Sequence, residues 1–309
     1  MRHTYPEIYH TYAWLVDLIR RRGHISLREI NEQWVLSDLS GGQPLHRNTF
    51  RLYLDAIHDM LGIDIVPSTK GKGCTYSIAG SASTHQRVLN RWALSSLKVA
   101  TILKEAKSIQ HRILLEDIPA GDHLLTDITH AMELGMRLQV CYQKFLDVEP
   151  YEAIVEPYCI KLFRQRWYLL GHRPERDYLA VYAFDRMLWV RVTSEPFSLP
   201  ADFDAAGHFA HLFGVFQAGK EDEMKRVTLR TYQGEWNYLR TLPLHWSQKE
   251  KKGQPGDDFI DFTVELYPTL DFLLEILSHG SHVEILSPLA LRRQMAEMVE
   301  VLHTRYQSK

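Results

Sequence analysis

The sequence predicts a multidomain α+β chain, and three observations lead there. Apolar residues first recur at intervals of three and four, the period of a helix face. From Leu138 the interval drops to two, the period of a strand, and beyond residue 222 the two periods alternate. The third observation is length: 309 residues exceed what one ordinary core organises, and 45% hydrophobic with 24% charged residues is a globular composition. The expected divisions are 1–80, a helical linker at 81–135, a β domain at 136–200, a linker helix at 201–222 and an α+β domain at 223–309.

Within the first division, Tyr5, Ile8, Tyr9, Tyr12, Leu15, Val16 and Ile19 form one apolar stripe. Arg20 to Arg22 and Gly23 supply the cations and stop residue of a helix end. Ser26 followed by Glu29 is a capping box opening a second helix. Ser40, Gly41 and Gly42 break it, and a third helix runs from about Arg47 to Leu61 with Phe50, Leu54, Ile57 and Leu61 inward. Gly62 ends that helix, and IDIVPSTKGKGCTYSI at 63–78 alternates around a Gly-rich turn as a β-hairpin does. Three helices followed by a hairpin predict a winged helix-turn-helix.

The window Leu39 to Leu54 holds no acid. At the start of its helix stand His46, Arg47, Asn48, Thr49 and Arg51, where a recognition helix carries base-reading side chains. Arginine can pair with guanine and asparagine with adenine, while Thr49 can hold phosphate. Lys70 and Lys72 at the hairpin tip suit contact with the adjacent phosphate backbone. Because the net charge is only -2, DNA contact must come from such local clusters.

Other classes find no support. Cys74, Cys141 and Cys159 lack metal or disulfide spacing and are expected to be reduced. His208 and His211 share a helix face without a third ligand, so no metal is expected. The stripe Phe209, Leu212, Phe213, Val215 and Phe216 reads as a packed linker helix. No phosphate-loop, metalloprotease or nucleophile-elbow motif occurs, so neither catalysis nor a cofactor is expected. With no signal-like or membrane-spanning run, the expected location is cytoplasmic.

β-type segments at 138–143, 152–161, 166–172, 178–184 and 188–192 predict five short strands. Later strands are expected at 225–232, 244–249, 259–266 and 282–286, and helices at 234–241, 269–278 and 288–306. Residues 88–106 and 123–134 read as bridging helices.

The stretch AIVEPYCIKLFRQRWYLLGHRPERDYLAVYAFDRM at 153–187 contains Pro157, Trp167-Tyr168-Leu169 and Asp185-Arg186, with Tyr142 upstream. In these residues, and in its layout, the chain resembles the WYL-domain family of bacterial transcriptional regulators. The resemblance implies an Sm-like five-stranded barrel that senses a nucleotide or nucleic-acid fragment, and a homodimer. Many family members carry an arginine where this chain reads Ala180 to Ala183, a departure at the anion site. The residues themselves agree with a nucleic-acid ligand: 157–174 lacks acids and interleaves cations with aromatics, which is what phosphate attraction and base stacking need. The expected ligand contacts are Tyr142, Lys144, Arg166, Tyr168, His172, Arg173 and Arg186.

The sequence-based expectation is therefore a ligand-responsive regulator that binds operator DNA. The alternative is an accessory module gripping duplex and single-stranded DNA without regulating promoters.

Overall fold

The computed structural model of the chain describes residues 5–309 except 38, 69–72, 80–87, 90, 91, 94, 97, 98, 101, 102, 104–106, 115, 117–120, 220, 252–257, 308 and 309. Lys70 and Lys72 lie outside the described residues, as does much of the helix expected at 88–106. The chain divides into two compact units, residues 1–116 and 117–309.

The first unit holds α1 (Tyr5–Arg22), β1 (Ile25–Ser26), α2 (Leu27–Val35), α3 (Arg47–Leu61), β2 (Ile65–Ser68) and β3 (Thr75–Ile78). The capping box forms: the Glu29 amide donates to Ser26 Oγ, and the Ser26 amide donates to the Glu29 carboxylate at 2.8 Å. Asn31 fixes the approach to α3, donating to the Leu45 carbonyl at 3.0 Å and accepting from the Leu45 amide at 2.6 Å. Gly62 closes α3 at φ 58°, the left-handed region that a side chain would strain. Leu15, Val16, Ile19, Ile30, Phe50 and Ile57 form the core, and Phe50 meets Tyr76 of β3 edge-to-face. The three strands order as β1-β3-β2.

The second unit opens with α4 (Leu125–Leu134), which the sequence reading assigns to a linker. Ile128 and Ala131 instead pack fully into the core of the following sheet. That sheet contains β4 (Met136–Tyr142), β5 (Tyr151–Phe163), β6 (Arg166–Arg173), β7 (Tyr178–Ala183) and β8 (Met187–Pro196), antiparallel in the order β7-β6-β5-β4-β8. A barrel closure is not among its pairings, which leave β7 and β8 as edges among the described residues. A bulge between Pro157 and Cys159 interrupts β5, where proline has no amide to donate. The turn Phe184–Arg186 then carries the chain from one edge to the other, with Phe184 buried beneath it.

The chain continues through α5 (Ala205–Phe209), β9 (Lys225–Tyr232), α6 (Trp236–Thr241), β10 (Lys249–Lys251), β11 (Phe259–Leu266), α7 (Leu270–Ser278), β12 (Val283–Ser287) and α8 (Leu289–Gln307). The sheet β10-β11-β9-β12 packs Val227, Leu229, Val264 and Leu266 against Phe272 and Ile276 of α7. Two sequence expectations are corrected here. The linker helix stops at Phe209, because Gly214 has φ 80° and the amides of Val215 and Phe216 donate to the Asp271 carboxylate rather than to preceding carbonyls. The expected strand at 244–249 begins only at Lys249, because the Leu244 amide is taken by the Gln248 side chain and the Gln248 amide donates back to the His245 carbonyl.

Gly171 follows the Trp167-Tyr168-Leu169-Leu170 run for a packing reason. A Cβ at that position would stand 2.2 Å from Val155 Cγ1, and Val155 is wholly buried. Gly171→Ala is expected to lower stability by about 1–3 kcal/mol through overpacking, measured by urea denaturation. An unchanged midpoint would show that β5 and β6 separate freely at this point.

Candidate nucleic-acid interface and ligand pocket

In the first unit, His46 caps α3 without a side-chain bond, and the first turn of that helix carries no acid. His46, Arg47, Asn48 and Arg51 are exposed and Thr49 is half-buried. The opposite face holds Phe50 and Ile57, so the stripe that anchors α3 turns Arg47 and Arg51, four residues apart, toward solvent. Five of the seven side chains assigned to DNA contact thus sit together at one helix start, and the other two, Lys70 and Lys72, lie outside the described residues.

In the second unit, a cavity of about 430 Å³ opens at one end of the five-stranded sheet. Strand register builds it. Tyr142 at the end of β4 pairs with Tyr151 at the start of β5, and Arg173 at the end of β6 pairs with Tyr178 at the start of β7. Alternation along β7 then turns Tyr178, Ala180 and Tyr182 to the cavity. Lys144, Arg176 and Arg186 add cations, and Asp147 and Glu152 are the acids in its wall.

The phenols stay protonated at neutral pH. Burial raises the pKa of Tyr142, Tyr151 and Tyr182, opposed in each case by a nearby arginine. Tyr142 accepts the Ala183 amide at 3.2 Å, leaving its hydroxyl hydrogen available. Three buried polar atoms at this cavity have no hydrogen-bond partner among the described residues: Arg173 Nε, Tyr182 Oη and Arg186 Nε. An unsatisfied buried polar atom costs roughly 1–3 kcal/mol, more when charged. The guanidinium of Arg186 lies 5.9 Å from the Tyr142 ring centre and 4.8 Å from that of Phe145.

Of the seven expected ligand contacts, the cavity gathers Tyr142, Lys144, Arg173 and Arg186. It excludes Arg166, Tyr168 and His172. Arg166 pairs with Asp185 at 3.1 Å, which frees the neighbouring Arg186 for the cavity. Alternation along β6 sets Tyr168 and His172 on the face opposite Arg173. There His172 bonds Glu156 at 2.8 Å and Asp177 at 3.1 Å, while Arg137 holds Glu156 and Glu195.

The acid-free run 157–174 is therefore divided among separate tasks. Lys161 donates to the Gly214 carbonyl and lies 4.1 Å from the Phe209 ring centre. Burial depresses its pKa to about 8, with Asp271 and Cys159 opposing. Arg164 pairs with Glu275 of α7. Arg164 and Arg166 are thus occupied by acids distant in sequence, whereas His172 and Arg173 meet acids just outside the run, Glu156, Asp177 and Glu175. His208 bonds Gln217, and among the described residues no His, Cys, Asp and Glu group could hold a metal. The three cysteines are free.

Sequence reasoning missed Arg176, Tyr151, Tyr178 and Tyr182. The tyrosines of β7 were accessible from the alternation 178, 180, 182. Arg176 lies in the turn after β6 and carried no such signal.

A five-stranded antiparallel sheet with a cationic, tyrosine-lined cavity, followed by a second α+β module, defines the class. Residues 123–192 match the WYL domain and residues 223–302 match the WCX domain. That pair, in that order, matches the WYL-domain regulator family. No curated protein matches the chain. Among solved structures it is similar to "Proteasome accessory factor B/C (PafBC) of Arthrobacter aurescens", with 18% identity and a TM-score of 0.34 over 94% of this chain and 46% of that one. It spans less than half the length of that protein. It is also similar to a "CRISPR Cas-related protein", with 12% identity and a TM-score of 0.38 over 97% of this chain and 82% of the other. Among the described residues no helix is long and apolar enough to cross a membrane.

The His172 network makes a pH prediction. Burial disfavours the charged ring, but the bonds and charges of Glu156 and Asp177 outweigh it and raise the His172 pKa. A raised folded pKa stabilises the fold fully below the unfolded value of about 6.5, and that contribution is lost as pH rises through the folded value. The stability gap between the wild type and His172→Gln is thus expected to narrow from pH 6 toward pH 8.5 in denaturant titrations. A gap constant across that range contradicts the assignment.

Proposed function

We propose that the protein is a sequence-specific DNA-binding transcriptional regulator whose WYL domain takes a nucleotide or nucleic-acid ligand and thereby modulates operator binding. The observation that carries this reading is the cavity itself, in which Lys144, Arg173, Arg176 and Arg186 stand among the tyrosines Tyr142, Tyr151, Tyr178 and Tyr182. Phosphate oxygens satisfy such donors, and tyrosine rings offer faces to bases.

In this reading the first unit acts as a winged helix-turn-helix. Its order of three helices and antiparallel strands supports that role, with α3 entering the major groove by its acid-free first turn. The protein acts as a homodimer on a two-fold operator, without a cofactor and without catalysis, in the cytoplasm. Ligand binding couples to DNA affinity by shifting the relative stability of two arrangements of the dimer.

The test is retention on duplex DNA from the region upstream of the protein's own gene, against random duplex at fixed, near-physiological salt. Wild type is expected to prefer its own region by roughly 10³ or more. Arg47→Ala with Arg51→Ala is expected to remove that preference at an unchanged melting temperature, whereas Arg186→Ala leaves the ligand-free preference in place and weakens single-stranded oligonucleotide binding roughly tenfold or more. Equal retention of random duplex by the wild type defeats the operator reading.

A further inference from the structure

The cavity's donors and its rim together specify a narrower ligand than nucleic acid in general. Tyr182 is 1% exposed and Arg173 is 7% exposed, so the floor is enclosed rather than a surface groove. Arg173 comes from β6, Tyr182 from β7 and Arg186 from the turn after β7, and all three residues line one cavity. Lys144 and Arg176 add charge above them, so the cations outnumber Asp147 and Glu152.

A phosphomonoester matches this seat better than a phosphodiester does. It carries roughly -1.5 to -2 at neutral pH and presents three terminal oxygens to the guanidinium and phenol groups that line the cavity. It also enters end-on. A diester inside a strand offers fewer free oxygens and needs room for chain on both sides.

The rim adds a second feature. The Asp147 amide donates to the Lys144 carbonyl at 3.1 Å, closing a turn whose central residues are Phe145 and Leu146. Such positions ordinarily hold Gly, Pro, Asn, Asp or Ser. Here they are apolar and 75% and 96% exposed, and the Gln143 side chain steadies the turn through the Asp147 and Val148 carbonyls. Phe145 sits against the Arg186 guanidinium, placing an exposed ring beside one of the floor cations.

We propose that this pocket seats the phosphorylated end of a single nucleic-acid strand, with the terminal phosphate on Arg173, Arg186 and Tyr182 and the terminal base stacked on Phe145. The proposal rests on the nucleic-acid reading above and narrows it to strand ends. It makes Phe145 a binding residue that the sequence did not single out.

The experiment is equilibrium binding of the full-length protein to one short single-stranded DNA prepared with a 5′-phosphate, with a 3′-phosphate, or with hydroxyls at both ends, the label being internal. One phosphorylated form is expected to bind at least roughly tenfold more tightly than the hydroxyl form. Phe145→Ala is expected to weaken that form about five- to tenfold while leaving competition by inorganic phosphate unchanged. If all three forms bind equally, the end-reading proposal is overturned and the nucleic-acid reading stands. If none binds, both are overturned. Undiminished binding by Phe145→Ala removes the stacking role alone.

Discussion

The cavity in the five-stranded sheet depends on holding the Arg173 guanidinium inside the protein with a single carboxylate, Glu175, at its side. A buried charge is tolerated only when paired and hydrogen-bonded, and Arg173 meets that condition only in part. Its Nη2 reaches Glu175 at 3.3 Å and its ring neighbours are tyrosines, while its Nε stays unbonded. Phenols are suited to this task because they remain neutral when buried and can donate or accept. The surrounding strands follow from it: Tyr142 pairs with Tyr151 and Arg173 with Tyr178 because the registers β4–β5 and β6–β7 bring strand ends together at one side of the sheet. The arginine that the family resemblance led one to expect at Ala180–Ala183 is absent, and Arg173 reaches the cavity from the neighbouring strand.

Strand β5 ties this site to the rest of the second unit. Its first half pairs with β4, and beyond the bulge at Pro157 it pairs with β6. Its far end, still paired with β6 as far as Phe163, also touches the module that follows. Phe163 meets Phe213, which meets Phe272 of α7, while Lys161 and Arg164 reach Gly214 and Glu275. A shift of β6 against β5 at the ligand end therefore has a packed route into the WCX domain, through side chains that leave few voids to absorb it.

Much of this was legible from the chain alone. The period of two and the glycine turns located β4 to β8 within two residues at most ends, apart from the longer far end of β8, and the capping box at Ser26 and the stop at Gly62 fixed helix ends in the first unit. What could not be read was partnership at a distance. The cations of 157–174 looked like one patch because the acids of Arg164 and Arg166, Glu275 and Asp185, lie outside it, and those of His172 and Arg173, Glu156, Asp177 and Glu175, stand just beyond its ends. Strand count foretold the five strands but says nothing about which edges meet. The stripe at 209–216 resembled a helix because packed irregular chain and packed helix share apolar spacing, and only the Asp271 carboxylate distinguishes them. Asn31, which braces the start of α3 through Leu45, is an ordinary polar helix residue until its partner is seen.

The central claim is that occupancy of the WYL cavity is felt at the DNA-binding unit. Linkage makes it measurable: the factor by which an oligonucleotide changes affinity for duplex must equal the factor by which duplex changes affinity for the oligonucleotide. The most direct measurement is therefore duplex affinity with and without saturating single-stranded oligonucleotide, repeated in the reciprocal sense on the same full-length protein. A coupling of roughly five- to 150-fold, equal in both directions and absent in Arg173→Ala, is the expected result. Duplex affinity unmoved by an oligonucleotide that demonstrably binds would contradict the account, leaving two binding modules on one chain with no communication between them.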